Sequence, residues 1–341
     1  MSFHALVGDI GGTNARFALI EEGSVELQHI RVLSCADYDN FDDAYLDYYQ
    51  QVSCDALTTA CISFACPIAE RINMTNNHWS FDVQEMKTKL GLSRLELLND
   101  FTAMAYGSLF IDDSEKILVQ GGHAKESHLP RLVLGPGTGL GVGSLVADIH
   151  SAHQGSCNTD NNDLSVVKEI IWQAIATEGG HVSFAPTNAL EIAVLQQLLT
   201  KFERVSVERV LSGDGILQLY TALCVIKQQP IRYHDPAQIT AAVTKQSDPI
   251  ATQALDLFCS ILGALAGDLV LAQGSRGGVF LCGGILPRIQ EFFLKSSFIQ
   301  AMTNKGRFNQ YLADVPVWLC NAKYQGLIGS AAALKMMASK D

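Results

Sequence analysis

The stretch Leu6-Val7-Gly8-Asp9-Ile10-Gly11-Gly12-Thr13-Asn14-Ala15-Arg16-Phe17-Ala18-Leu19 reads as an apolar strand, a glycine turn and a second strand. The apolar run begins at Phe3 and reaches Gly8, and alternation resumes from Ala15 to Glu21. Glu22-Gly23-Ser24 then turns the chain into Val25 to Val32, so three antiparallel strands are expected at the start. The design returns at Leu132-Val133-Leu134-Gly135-Pro136-Gly137-Thr138-Gly139-Leu140-Gly141-Val142-Gly143-Ser144-Leu145-Val146: an apolar strand, a glycine turn with a threonine, a second strand. The same hairpin opening each half predicts two duplicated domains facing one another across a cleft.

Between the two hairpins the pattern predicts a helix over Phe41 to Gln51 and a buried strand over Thr58 to Phe64. A second helix is expected from Asp82, with Glu85 completing a capping box, and a buried strand over Leu95 to Asn99 runs into a helix over Phe101 to Phe110. Three strands followed by alternating helices and strands call for a mixed sheet with helices on its faces. Ser151 to Asp163 is almost devoid of apolar residues and reads as a surface loop or insertion. Beyond it the pattern is helical: Leu190 to Lys201, Val207 to Ile226 broken at Gly213 to Gly215, Pro236 to Lys245, and Pro249 to Ala272. An apolar strand over Gly278 to Cys282 leads into a third glycine turn, Gly283-Gly284, and a helix over Gln325 to Met337 closes the chain.

Composition narrows the partners. The 341 residues are 48% hydrophobic and 17% charged, below the roughly 25% charged share of ordinary globular chains. That length suggests two domains and a large core. With 24 Lys+Arg against 35 Asp+Glu the net charge is -11, and such a field repels nucleic acid and anionic membrane surfaces. The longest apolar run, around Cys259 to Ala272, carries Asp268, and the N-terminus has no basic leader, so neither a membrane span nor a signal peptide is expected. Nine cysteines without a Cys-x-x-Cys pair fit a reducing cytosol.

Glycine in a turn permits close backbone approach and positive φ, so that consecutive N–H groups can point at one anion, and threonine adds a hydroxyl donor. One such turn reads equally well as a tight hairpin. Three of them, each directly after a buried strand, point to phosphate. The pattern is neither a Walker A loop, lacking its Gly-Lys-Ser/Thr end, nor a dinucleotide fingerprint, since the first turn leads to a strand.

Gly8 to Thr13, Gly137-Thr138-Gly139 and Gly283-Gly284 resemble the first phosphate loop, second phosphate loop and adenosine motif of the sugar kinase, Hsp70 and actin superfamily. Within it, LVGDIGGTNARFAL, ACPI, MTNNHW, LLNDFTA, GPGTGLG, EGGHVSFAP, ERVLSG, GGVFLCGGILPR and KGRF resemble the bacterial glucokinases of the non-ROK type over nearly the whole chain. The resemblance implies an α/β fold of two ribonuclease-H-like (actin-like ATPase) domains, each a mixed sheet flanked by helices, closing a cleft over glucose and MgATP. The small domain would hold residues 1–111 plus 322–341, the large one 112–321 with the polar insertion near 150–165. The implied activity is ATP-dependent phosphorylation of glucose to glucose 6-phosphate, the first step of glycolysis, by a cytoplasmic homodimer.

The resemblance carries the general base onto Asp100 and sugar contacts onto Asn99, Glu178, His181 and Glu208. ATP contacts fall on Gly8, Asp9, Ile10, Gly11, Gly12, Thr13, Gly137, Thr138, Gly139, Gly283 and Gly284. Each position has a second reading. Asp100 would also serve as N-cap of the helix starting at Phe101. Glu178 and His181 suit paired hydrogen bonds to vicinal hydroxyls, or are an ordinary loop charge and a satisfied imidazole. Glu208 fits a first helical turn, where an acid complements the dipole. Asp9, an acid among phosphate-holding amides, makes sense as a Mg²⁺ partner through water, or as an acid stabilising its own turn. His78-Trp79 reads as core or loop scaffolding.

The family pattern has Pro-Gly before the Glu-Gly-Gly-His motif, where this chain has Ala176-Thr177. A kinase for another hexose, a non-catalytic sugar sensor on the same fold, and an actin-like ATPase remain as alternatives. The absence of a DNA-binding module ahead of Phe3 and of the ROK cysteine signature weighs against two of them.

Overall fold

The computed structural model describes residues 5–52, 57–122, 128–148 and 170–338, so the polar stretch near 150–165 lies outside the described residues. The chain opens with β1 (Ala5–Ile10), β2 (Asn14–Ile20), β3 (Gln28–Ser34), α1 (Phe41–Val52) and β4 (Thr59–Phe64). A small hairpin of β5 (Arg71–Asn73) and β6 (Ser80–Asp82) precedes α2 (Val83–Lys89), β7 (Arg94–Asn99) and α3 (Asp100–Gly107). Then come β8 (Lys116–Gln120), β9 (Arg131–Pro136), β10 (Leu140–Ala147) and β11 (Trp172–Ala176). The rest is α4 (Ala189–Leu198), α5 (Gly213–Ile226), α6 (Pro236–Thr244), α7 (Pro249–Gln273), β12 (Val279–Leu281), α8 (Gln290–Phe293), α9 (Phe298–Thr303), α10 (Asn309–Ala313), β13 (Val317–Cys320) and α11 (Gln325–Ala338).

Two units divide the chain: Met1–Asp112 with Ser144–Ala176 and Ala322–Asp341, and Asp113–Gly143 with Thr177–Asn321. Compared with the expected spans of 1–111 plus 322–341 and 112–321, residues 144–148 and 170–176 group with the first unit, where β11 packs on α3.

The sheet of the first unit runs β3-β2-β1-β4-β7. β1, β2 and β3 are antiparallel neighbours, while β4 lies parallel to β1 and β7 parallel to β4. β3 starts at Gln28 and not at Val25, because Gly23 (φ 69) makes the turn and the chain stays irregular until Gln28. The core beneath this sheet is aromatic: Phe17, Phe41, Tyr48, Phe64 and Trp79 are all buried, which makes Trp79 a core residue. Its indole N–H donates to the carbonyl of Tyr38 at 3.2 Å. Asp82 caps α2 as expected, accepting from the N–H groups of Gln84 and Glu85.

The second sheet runs β11-β10-β9-β12-β13-β8, with β12 parallel to β9 and to β13. The core of β1–β2–β4–β7 pairing thus recurs as β9–β10–β12–β13, as the repeated hairpin predicts. α7 is long and apolar enough to cross a membrane by length and composition alone. Its Phe258, Leu262, Ala266 and Val270 are instead fully buried in the second unit's core, which explains its hydropathy. The break expected inside the helix at Gly213 to Gly215 lies earlier: a single 3-10 turn, Val207–Arg209, ends before Ser212, whose hydroxyl caps α5 through the N–H of Gly215.

Candidate active site

β1 ends in the first glycine turn. Gly11 N–H donates to the carbonyl of Asn14 at 2.9 Å, closing the turn, and Asn77 Nδ2 donates to the carbonyl of Gly11 at 3.3 Å. A Cβ on Gly12 would stand 2.7 Å from the Cβ of Asn76, so glycine is needed for close approach. None of Gly8, Gly11 and Gly12 has positive φ, so the expected left-handed backbone is absent there. Close contacts explain Gly8, where a Cβ would stand 2.8 Å from Ile62 Cδ1, and Gly12, but at Gly11 a Cβ would meet only an ordinary contact of 3.6 Å. Among the described residues no protein acceptor bonds the N–H groups of Gly12 and Thr13.

Asp9 stands on β1 opposite Arg16 on β2. Arg16 Nη1 donates to Asp9 Oδ2 at 3.2 Å, and the buried Ser63 hydroxyl on β4 lies 3.3 Å from both Asp9 Oδ1 and the carbonyl of Gly8. Ser330 on α11 donates to the same Gly8 carbonyl at 3.0 Å. Burial pushes the Asp9 carboxyl above its ordinary value, against the opposing pull of Arg16 and Ser63.

Asn99 and Asp100 sit where β7 meets α3. The N-cap of α3 is Asn99, so the expectation that Asp100 caps a helix starting at Phe101 does not hold. Asn99 has extended backbone (φ -67, ψ 148) and its Oδ1 accepts the N–H of Phe101 at 3.0 Å, while its Nδ2 donates to the carbonyl of Cys66 at 3.3 Å. Asp100 is the first helical residue, accepting the same Phe101 N–H at 2.9 Å. Its carboxyl is pushed up to about 6, chiefly by burial and then by the charge of Asp9.

The second unit builds its own polar cluster. In the turn after β9, Gly137 N–H donates to the carbonyl of Gly139 at 2.8 Å. The N–H groups of Thr138 and Gly139 have no protein acceptor among the described residues. Gly283 follows β12 with φ 87, and a Cβ there would stand 2.7 Å from the carbonyl oxygen of Pro136, so this position needs glycine on both counts. Gly284 beside it is exposed, with open space around its Cα.

Glu178, Gly179, Gly180 and His181 form one 3-10 turn, with His181 N–H donating to the carbonyl of Glu178 at 2.9 Å. Thr177 replaces the family's glycine usefully: its hydroxyl donates to the carbonyl of Val142 at 2.7 Å and anchors the loop's entry. Glu178 and His181 are both exposed, so neither is an internally satisfied core side chain. Glu208 is not on an α-helix but in the single 3-10 turn, where its Oε2 accepts the N–H of Leu140 at 2.9 Å and its Oε1 lies 3.9 Å from His181 Nδ1.

Sequence reasoning did not single out Arg16, Ser63 or Asn77 around the first turn. The period-2 alternation of β2 could have found Arg16, because antiparallel register through a short turn sets it opposite Asp9. Ser63 and Asn77 reach the turn only through tertiary pairing.

The family model described as Glucokinase matches residues 6–337. A glucokinase of Hahella chejuensis is 46% identical over 97% of this chain and 97% of its own. The crystal structure of a glucokinase from an Antarctic psychrotroph superposes with a TM-score of 0.84 at 34% identity, covering 97% of this chain and 98% of the other. A glucokinase from Balamuthia mandrillaris, solved in complex with glucose, shares the fold at 19% identity and a TM-score of 0.71, covering 98% and 93%.

Proposed function

The chain belongs to the glucokinase family, whose reaction is ATP-dependent phosphorylation of glucose on an actin-like ATPase fold, and we propose that Asp100 is the general base of that reaction in this protein. The observation that carries it is the carboxyl of Asp100, raised to about 6 at the β7–α3 junction while Asn99 takes the capping duty. A base of that strength is largely ionised at neutral pH yet able to hold a proton as the bond forms.

As the 6-hydroxyl oxygen of glucose attacks the γ-phosphorus, its proton passes to the Asp100 carboxylate. The new O–P bond forms as the bridging P–O bond breaks, and ADP leaves. The proton then returns from Asp100 to water. Glu178, His181, Glu208 and the remaining hydrogen-bonding capacity of Asn99 hold the sugar hydroxyls and aim the 6-hydroxyl. The free N–H groups of Gly12, Thr13, Thr138 and Gly139, with the two threonine hydroxyls, receive phosphate oxygens, and Gly283 and Gly284 leave room for the adenosine.

Magnesium fits as an ion carried by the nucleotide. Among the described residues no three His, Cys, Asp or Glu side chains form a metal cluster. Asp9 has each carboxylate oxygen already engaged, one by Arg16 and one by Ser63, which suits contact with the waters of a hydrated ion. When bound, magnesium neutralises charge on the β- and γ-phosphates. A homodimer is the family expectation. A cytoplasmic setting agrees with the buried described cysteines, none of which is in a disulfide.

The test is a coupled ADP-release assay with MgATP and a panel of hexoses. Glucose is expected to be the best acceptor, and Asp100→Ala to lose at least about a hundredfold in kcat. A different best hexose would change the substrate, glucose binding without ADP release would make the protein a sensor, and near-normal kcat in Asp100→Ala would remove the base.

A further inference from the structure

Residues 205–213 touch both polar loops of the second unit. At one end they are zipped to the loop that follows His181: Phe184 N–H donates to the carbonyl of Val205 at 3.0 Å, Val207 N–H donates to that of Val182 at 2.9 Å, and Ser183 and Ser206 form an antiparallel bridge. Arg204 adds a bond from Nη2 to the carbonyl of His181 at 2.5 Å. In the middle, Glu208 Oε2 accepts the N–H of Leu140. At the far end Gly213 N–H donates to the carbonyl of Gly137 at 2.9 Å. The segment therefore grips the second glycine turn at both of its ends, Gly137 and Leu140, and leaves its two central N–H groups, those of Thr138 and Gly139, free.

The side of Gly139 facing Glu208 is filled by the carboxylate: a Cβ there would stand 2.5 Å from Oε2. The other oxygen of the same carboxylate faces His181 at 3.9 Å. We propose that Glu208 couples sugar occupancy to the geometry of the second glycine turn, so that glucose and nucleotide strengthen each other's binding through this one carboxylate. The inference rests on the reading that Glu208 and His181 hold sugar and that the turn holds phosphate.

The physical basis is that one rigid planar group serves two sites. A sugar hydroxyl donating to the His181-facing side fixes the carboxylate plane, which fixes the acceptor for Leu140 N–H and hence the aim of the Thr138 and Gly139 N–H groups. A phosphate held by those N–H groups fixes the turn and returns the constraint to Glu208. Coupling of this kind is reciprocal in free energy. Glutamine cannot do both jobs, because its amide has a single acceptor oxygen.

Titration calorimetry of glucose into the full-length protein, with and without a saturating non-hydrolysable ATP analogue and magnesium, gives the ratio of the two dissociation constants. In the native protein that ratio is expected to be at least about fivefold, at the lower end of ordinary coupling. Glu208→Gln should bring it to near 1, and Gly139→Ala, whose methyl displaces Oε2 from Leu140, should do the same without changing any charge. Glu178→Gln, a sugar-loop change with no bond to the turn, should weaken glucose binding equally in both states and keep the ratio. If Glu208→Gln fails to fold or binds too weakly to titrate, Gly139→Ala decides. A ratio preserved in Gly139→Ala or Glu208→Gln, or a native ratio of 1, overturns the coupling while leaving the sugar site intact. No glucose binding by the native protein would instead overturn the functional reading beneath it.

Discussion

At the scale of single residues, Asp100, as the proposed base, trades stability for reactivity. Its carboxyl titrates near 6 in the folded chain against 3.8 in the unfolded one, so folding disfavours the ionised form. A raised carboxyl makes the folded state relatively less stable above about pH 6, and this penalty is absent below the unfolded value. Asp100→Asn is therefore expected to raise the unfolding free energy at pH 7 by up to about 3 kcal/mol, with the gain vanishing near pH 3, while abolishing turnover. Chemical denaturation at the two pH values checks it, and a destabilised Asp100→Asn at pH 7 contradicts it. The same group should set the acid limb of kcat/KM, with activity falling about tenfold per pH unit below 6. The choice between cap and base was not legible in the Asn-Asp pair itself, since both residues are good caps. Only the backbone identifies the cap as Asn99, which is extended and accepts the N–H of Phe101.

At the scale of elements, the proposed base is only as well placed as α3, and α3 is held by α11. The two helices approach so closely that a Cβ on Gly329 would collide with the carbonyl oxygen of Ala103, and Gln325 Nε2 donates to the carbonyl of Met104 at 3.1 Å. Gly329→Ala must push the helices apart. We expect a loss of about 1–3 kcal/mol of stability, together with a fall in kcat larger than any change in glucose KM. Thermal unfolding and steady-state kinetics read both, and unchanged kcat would show that α3 is positioned without α11. The contact was hidden in the sequence because Gly326, Gly329 and Ser330 read only as small residues on an apolar helix. Elements with their own periodicity, such as β1, β2, α1 and α7, were legible. β5, β6, β8, β11 and β13 were not, being only three to five residues long, and β8 and β13 in addition pair with strands far away in sequence.

At the scale of the whole molecule, the net charge of -11 opposes the approach of a polyphosphate. Nothing in the glycine turns offsets it with a lysine, and Arg16, the cation beside the first turn, is already paired with Asp9. On the proposed reading, grip on the phosphates rests on backbone N–H groups, which act only within hydrogen-bond distance, while the repulsion acts at long range. Salt distinguishes the two, since a Debye length of about 10 Å at 0.1 M shortens to about 3 Å at 1 M. Screening should weaken the distant repulsion and spare the short amide contacts. The KM for MgATP is accordingly expected to stay level or to fall as potassium chloride rises from about 0.05 to 0.5 M, a range over which the Debye length shrinks severalfold. A site that gripped phosphate with ionic side chains would lose affinity over the same range. Steady-state kinetics at fixed free magnesium measure it, and a severalfold rise in KM would mean that cationic side chains, not the amides of the two turns, hold the nucleotide.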